Sequence, residues 1–236
     1  MDQSNDTIKA QEAEKILEVS DAKESQEFLL NQTIELTKKL EAVTEKDSIK
    51  RADVLLNLAN SELGRNKMQE AWTHAKQAFD IYIKHESWEE AVEACDLLYQ
   101  TDLPSSISAL GHGTWLAVTF PVSAQHTINI LHNIVTETPD NSDGAALAAI
   151  VAHYVVDLRC EGKQKQDLQF ITKNMLVKVA KRHSMVESQT GLDVWMDKLE
   201  LKDPDVFFPR FSLVIGAIVG DNWWYDRDEL RTKIPQ

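Results

Sequence analysis

Apolar side chains recur at steps of three and four residues along most of this chain, and this spacing limits the possible folds more than any other feature. The clearest stripe consists of Met68, Ala71, Ala75, Ala78 and Phe79. Such residues fall on one side of an α-helix, and small alanines allow a neighbouring helix to approach closely. No long segment alternates apolar and polar residues as a half-buried β-strand does. We therefore predict an all-α protein of stacked antiparallel helix pairs.

Capping residues, glycines and prolines set the boundaries of the predicted helices. The predicted helices cover about 29–43, 48–63, a stretch from 68, 88–99, 104–120, 124–137, 144–160, 165–183, 187–200 and 205–219. Gly64 and Asn66 favour a helix end, Ser87 has the spacing of a capping box, and Pro209 should interrupt the last of these helices. We expect residues 221–236 to form an aromatic plug followed by a short helix.

One helix pair carries a recognisable pattern. Its small and apolar positions are Leu58, Ala59, Met68, Ala71, Ala75 and Ala78. With these residues, the segment 58–79 resembles a tetratricopeptide repeat, a helix-turn-helix unit of about 34 residues. Leu55, Glu62 and Ile83 replace the family's usual tryptophan, tyrosine and closing proline. The resemblance implies a TPR-like α-α superhelix that binds a protein or peptide.

Composition and the resemblance together divide the chain into three regions. The first 50 residues contain 12 acidic and 7 basic side chains. Within them, Ile8, Ile16 and Leu17 offer little apolar surface to offset the entropy of ordering. We predict a flexible acidic tail at 1–20, a TPR-like helical region at 21–103, and a C-terminal helical region at 104–236 that continues the stack.

Charge and cysteine content limit the compartment and the partners. The formal charge of −13 disfavours binding to nucleic acid or to anionic membranes. The most apolar stretch, 145–156, is 12 residues long, whereas a membrane span needs about 20, so we interpret it as a buried helix. Cys95 and Cys160 are too few and too distant for a disulfide framework or a thiolate zinc site. We expect a cytoplasmic protein without a cofactor.

His153 and Asp157 are the best candidates for chemistry. They lie four residues apart on one predicted helix, so the imidazole and the carboxylate share a side. With a histidine from another helix, His112, His126 or His132, they could form a metal site. The spacing matches no known zinc or di-iron motif, and the more conservative interpretation is a buried histidine with a hydrogen bond to Asp157 or to a backbone carbonyl.

Gly111 and Gly113 flank His112, and Trp115 follows shortly after. Glycines bring a backbone close to a neighbour, so His112 and Trp115 are candidate ligand-binding residues. The alternative is a helix kink or a site of tight helix packing. The segment lacks the lysine and hydroxyl residue of a phosphate-binding loop.

Trp223, Trp224 and Tyr225 are candidate protein-binding residues. Two adjacent tryptophans cannot both face inward on a regular helix or strand, and exposed aromatic side chains are favoured at protein interfaces. The alternative is that they wedge against the preceding helix and lock the C-terminus.

We therefore predict an interaction or adaptor protein whose partner is another protein or a peptide. The alternative function is a metal-dependent helical enzyme that uses the cluster around His153 and Asp157. A homo-oligomeric structural protein is a third possibility. Architecture alone does not define a function, so these remain hypotheses at the level of the sequence.

Overall fold

A computed structural model describes residues 24–44 and 47–234 of the 236-residue chain. Those residues form helices joined by short turns, and they contain no β-strand. The helices are α1 (24–42), α2 (Ser48–Gly64), α3 (Met68–Lys84), α4 (Trp88–Gln100), α5 (Ser106–Thr119), α6 (Ala124–Glu137), α7 (Asp143–Arg159), α8 (Gly162–Ser184), α9 (Gln189–Lys198), α10 (Pro204–Val219) and α11 (Arg227–Arg231). The all-α prediction is confirmed. The tail predicted at 1–20 lies outside the described residues.

The helices from α2 to α8 form two layers. Each of these helices packs against the next one along the chain. Even-numbered helices also contact one another, since α4 contacts both α2 and α6, and α6 contacts α8. The first layer therefore contains α2, α4, α6 and α8, and the second contains α3, α5 and α7. α10 covers the second layer by packing against α5 and α7.

α1 runs antiparallel to α2 at one end of the array. Near the start of α1, the Gln26 amide donates a hydrogen bond to the Gly64 carbonyl at the end of α2, at 3.0 Å. Near the end of α1, the Leu40 carbonyl accepts a hydrogen bond from the Arg51 side chain of α2, at 3.4 Å. Leu36, from the predicted apolar stripe, is buried.

The α2–α3 hairpin forms as the sequence predicts. Asn66 adopts the left-handed conformation, with φ of 58°, just after α2 ends. Ala71, Ala75 and Ala78 are at most 2% exposed, so the alanine stripe of α3 faces the core. The small side chains permit the close packing of the two helices.

α7 is buried along most of its length. Its sequence is apolar on nearly all sides, and residues 144–152 are all buried. A helix that is apolar all round is buried on all sides, so the interpretation of 145–156 as a core helix is confirmed. Within the described part of the chain, no helix is long and apolar enough to cross a membrane.

Two local predictions are wrong. α10 continues through Pro209, because its buried face, with Phe207, Phe211 and Ile215, offsets the loss of one backbone hydrogen bond. α4 does begin directly after Ser87, but the Ser87 side chain accepts no hydrogen bond from the helix. The backbone of Ser87 is not extended, with ψ of 75°, whereas the capping residue Ser123 of α6 has ψ of 144° and its side chain accepts a hydrogen bond from the His126 amide.

Three arginines close helix ends in a way that the sequence did not indicate. Arg159 donates to the carbonyls of Ala117, Val118 and Val122, at and beyond the end of α5, at 2.8–3.1 Å. The other two are Arg182, which donates to carbonyls at the end of α6, and Arg210, which donates to the Leu199 carbonyl after α9. Each satisfies carbonyls that a helix end leaves without a partner.

Candidate functional site

The C-terminal aromatic residues cross the surface of α3 and α5. Gly220, with φ of 65°, ends α10, and the Asp226 side chain caps α11 by accepting from the amides of Asp228 and Glu229. Residues 221–226 between these two helices form neither a helix nor a strand. This short irregular segment carries all three candidate protein-binding residues.

His112 of α5 is the centre of the contacts. Its ring stacks on Trp224 with centroids 4.0 Å apart, and it meets the edges of Trp223 and Tyr225 at 5.2 and 5.4 Å. The Tyr225 hydroxyl donates to the His112 carbonyl at 2.9 Å. Trp115, one turn later on α5, contacts Tyr225 and Trp223 at 5.4 and 6.1 Å.

The structure thus joins two groups of residues that the sequence placed in separate candidate sites. We call His112, Trp115, Trp223, Trp224 and Tyr225 the aromatic cluster. Aromatic contacts of this kind each contribute about 0.5–1.5 kcal/mol beyond area burial. The cluster therefore attaches the C-terminal segment to the second helix layer.

Two cations border the aromatic cluster. The Lys76 ammonium of α3 lies 4.9 Å from the Trp224 ring centroid, and the Arg227 guanidinium lies 4.2 Å from the Trp223 centroid. Both distances fit cation–π attraction. Trp223 and Trp224 are each partly buried, which differs from the expectation that one of them faces solvent. The irregular backbone removes the alternation on which that expectation rested.

The environment of His112 determines what its ring can do. The residue is fully buried, and neither ring nitrogen makes a hydrogen bond of good geometry with any described residue. Burial lowers the pKa of His112 to about 3, and Lys76 adds to this effect while the Asn222 backbone opposes it. A base with so low a pKa is a poor proton acceptor near neutral pH. His112 therefore acts as a neutral aromatic side chain in packing.

The glycines beside His112 allow other helices to approach α5. A Cβ atom at Gly111 would lie 2.6 Å from a Val219 side-chain atom of α10, and one at Gly113 would lie 2.5 Å from Ile130 of α6 and 2.6 Å from Cys95 of α4. These distances are too short for any side chain, so tight packing explains both glycines.

His153 and Asp157, the best candidates for a metal site, are not part of the aromatic cluster. His153 Nδ1 lies 2.8 Å from the Thr172 hydroxyl, and its Nε2 is 4.0 Å from Asp157. Burial lowers the pKa of His153, and Asp157 opposes that shift. His126 instead contacts Glu89 at 2.6 Å. Across residues 24–44 and 47–234, no group of three or more His, Cys, Asp or Glu side chains could hold a metal ion.

A second candidate site, which the sequence did not indicate, is the outer surface of the first helix layer. Clefts of about 270, 180 and 370 Å³ lie between α2 and α4, between α4 and α6, and between α6 and α8. The first two clefts adjoin, because Glu93 lines both. We call this surface the clefted face.

Charge differs between the two ends of the clefted face. The α2/α4 cleft is lined by Asp53, Glu90 and Glu93, and no basic residue among those described lines it. The α6/α8 cleft is lined by Lys178 and Arg182, and within residues 24–44 and 47–234 no carboxylate lines it. All three clefts also contain exposed asparagines; they are Asn57 and Asn60 of α2, Asn129 of α6 and Asn174 of α8.

Comparison of the chain with protein-family models, with curated proteins and with solved structures gives no match.

Proposed function

We propose that this protein is an interaction or adaptor protein that binds a segment of another polypeptide along the clefted face. In this proposal the two-layer array is a TPR-like superhelix, the first layer forms its binding surface, and the protein acts in the cytoplasm. The observation that carries the proposal is the row of three clefts, one between each pair of neighbouring helices in that layer.

The size of the clefts favours a polypeptide over a single small molecule. Typical ligand pockets measure about 300–1,000 Å³, and two of the three clefts are smaller, at about 270 and 180 Å³. A row of small clefts suits successive side chains of one chain, whereas a compact ligand would require one larger cavity.

The spacing of the clefts also fits an extended segment. Packed helix axes lie about 8–10 Å apart, so adjacent clefts are separated by a similar distance. An extended chain advances about 3.3 Å per residue, so every third side chain would reach the next cleft. Exposed Asn60 and Asn129 can donate to and accept from the backbone of such a segment.

The clefted face is better suited to binding than the aromatic cluster. The aromatic rings of the C-terminal segment pack against rings of α3 and α5, so Trp223, Trp224 and Tyr225 hold this segment in place. Their protein-binding role remains a prediction. Asn60, Asn129 and Lys178, which line the clefts, are instead exposed.

Affinity capture with matched variants tests the proposal. Asn60→Trp combined with Asn129→Trp fills two clefts, whereas Gln69→Trp combined with Gln77→Trp adds the same two side chains to the exposed side of α3. We expect proteins captured by the unmodified chain and by the α3 variant to be lost with the cleft variant. If every captured protein binds both variants equally, or if none is captured, the clefted face does not bind a partner.

A further inference from the structure

α8 differs in charge from the rest of the chain. It carries six Lys or Arg residues against a single acidic residue, Asp167, giving a local charge of +5 in a chain whose net charge is −13. The basic residues are Lys163, Lys165, Lys173, Lys178, Lys181 and Arg182. Because the chain as a whole is acidic, this helix presents a distinct electrostatic surface to an approaching partner.

The same helix exposes large apolar side chains. Phe170 is 69% exposed, and Ile171 and Val177 are 45% and 48% exposed. Ile171 also lines the α6/α8 cleft, whose wall includes Met175 and Val179. Apolar surface that is exposed at a cleft, as at Ile171, is typical of an interaction site.

Lys178 stands at the edge of this apolar cleft. It is exposed, and it forms no ion pair with any residue in the described ranges. Arg182, one turn later, is fixed by its hydrogen bonds to the Val135 and Thr138 carbonyls. Exposed His132 of α6 lies on the opposite side of the cleft. The cleft thus combines an apolar wall with a basic rim.

We propose that the α6/α8 cleft binds an acidic segment of another polypeptide that inserts a large apolar side chain. This inference rests on the proposed function and specifies the chemistry of the partner. The acidic residues supply charge complementarity to Lys178, and the apolar side chain occupies the space beside Ile171 and Met175. Asp53 and Glu93 at the other end repel the same segment, so the charge gradient fixes the direction of the partner along the clefted face.

A lipid surface fits these observations less well. A basic, partly apolar helix can bind anionic membranes, but the chain carries a net charge of −13, which opposes approach to them. The space between α6 and α8 is moreover a recessed cleft of about 370 Å³, which suits an inserted side chain.

Fluorescence anisotropy with synthetic probes tests the inference on the full chain. The probes are a labelled peptide of repeating Glu-Glu-Phe triplets, which places an apolar residue at every third position, and a matched peptide of Lys-Lys-Phe triplets. We expect the acidic probe to bind about tenfold more tightly than the basic probe, with an affinity that falls as salt is added.

Two charge-reversal variants locate the binding. Lys178→Glu changes the rim of the cleft, whereas Lys163→Glu makes the same charge change on the first turn of α8, away from it. We expect Lys178→Glu to weaken binding of the acidic probe about tenfold and Lys163→Glu to leave it within about twofold. Equal effects of the two variants, or tighter binding of the basic probe, would overturn the inference.

Other occupants give different results, and each would also overturn it. Vesicles containing phosphatidylserine that bind in a manner dependent on Lys178 would assign the cleft to lipid. Self-association that Lys178→Glu abolishes would assign it to a second copy of the chain. A synthetic peptide of residues 1–23 that binds there more tightly than the probe would assign it to this chain's own N-terminal segment. If the probes fail while captured proteins still depend on Asn60 and Asn129, the proposed function stands and only this inference falls.

Discussion

Removing the titratable ring of His112 should make the stability of the protein less sensitive to acid. The ring is fully buried among aromatic side chains, and neither nitrogen makes a hydrogen bond of good geometry within the described part of the chain. The folded protein therefore holds the ring neutral. On unfolding, the ring reaches water and can take up a proton. His112→Phe and His112→Leu both remove that proton uptake, and they differ in side-chain volume.

The size of the effect follows from the pKa of His112, which burial lowers from 6.5 to about 3. Between these values the unfolded chain binds one more proton than the folded protein, so stability falls by about 1.4 kcal/mol for each pH unit. The contribution is fully present above pH 6.5 and is lost progressively as the pH falls toward 3. From pH 7 to pH 5, His112 should account for a loss of about 2 kcal/mol.

Urea unfolding at pH 7 and at pH 5 measures this contribution as a difference between proteins. Other groups titrate in the same range, but they contribute equally to the unmodified protein and to the variants. Both variants should therefore lose about 2 kcal/mol less than the unmodified protein. At pH 7 their absolute stabilities can differ, because phenylalanine and leucine fill the site differently. An equal loss between the two pH values in the unmodified protein and in both variants would show that His112 does not cause this acid sensitivity.

Substitutions at four further positions test the packing of the helices and of the aromatic cluster by urea unfolding. Gly113→Ala should lower the free energy of unfolding by about 1–3 kcal/mol, because the new Cβ would lie 2.5 Å from a neighbouring side chain. Gly216→Ala, whose Cβ meets nothing within 4 Å, should instead raise it by up to about 1 kcal/mol, and a loss as large as that of Gly113→Ala would contradict the account. Arg159→Met should cost about 1–3 kcal/mol by leaving carbonyls near the end of α5 without donors, and Arg159→Lys should not restore the full stability. Tyr225→Phe should cost about 1 kcal/mol through the lost hydrogen bond to the His112 carbonyl, and an unchanged midpoint would show that this bond adds nothing.

Most of the helices could be predicted from the sequence because their signals are local. The apolar spacing from Met68 to Phe79 is sufficient to place α3 and to identify its buried side. The left-handed Asn66 likewise marks a boundary that depends on neighbouring residues alone. Pro209 shows the limit of such reasoning. Its local preference is to end a helix, but packing of Phe207 and Phe211 against other helices overrides that preference.

The candidate sites depended on contacts that spacing along the chain does not reveal. His112 and Trp224 are 112 positions apart, and only the path of the chain after α10 stacks their rings. The glycines beside His112 did indicate a close approach, but not which helix approaches. The sequence did not indicate the clefted face at all, because its lining combines polar and apolar side chains from several separate helices, and no pattern along the chain connects them.

The sequence by itself determined that the chain is helical, which side of each major helix is apolar, and that 145–156 is buried, since helix periodicity and burial depend on residues within a few turns. Tertiary structure decided which helices are neighbours, that the aromatic residues pack inward, and that the acidic and basic clefts lie on one surface. Those features depend on packing between residues far apart in the sequence. The apolar stripe of one helix could pack against the stripes of several other helices, and only the complete tertiary arrangement determines which pairs form.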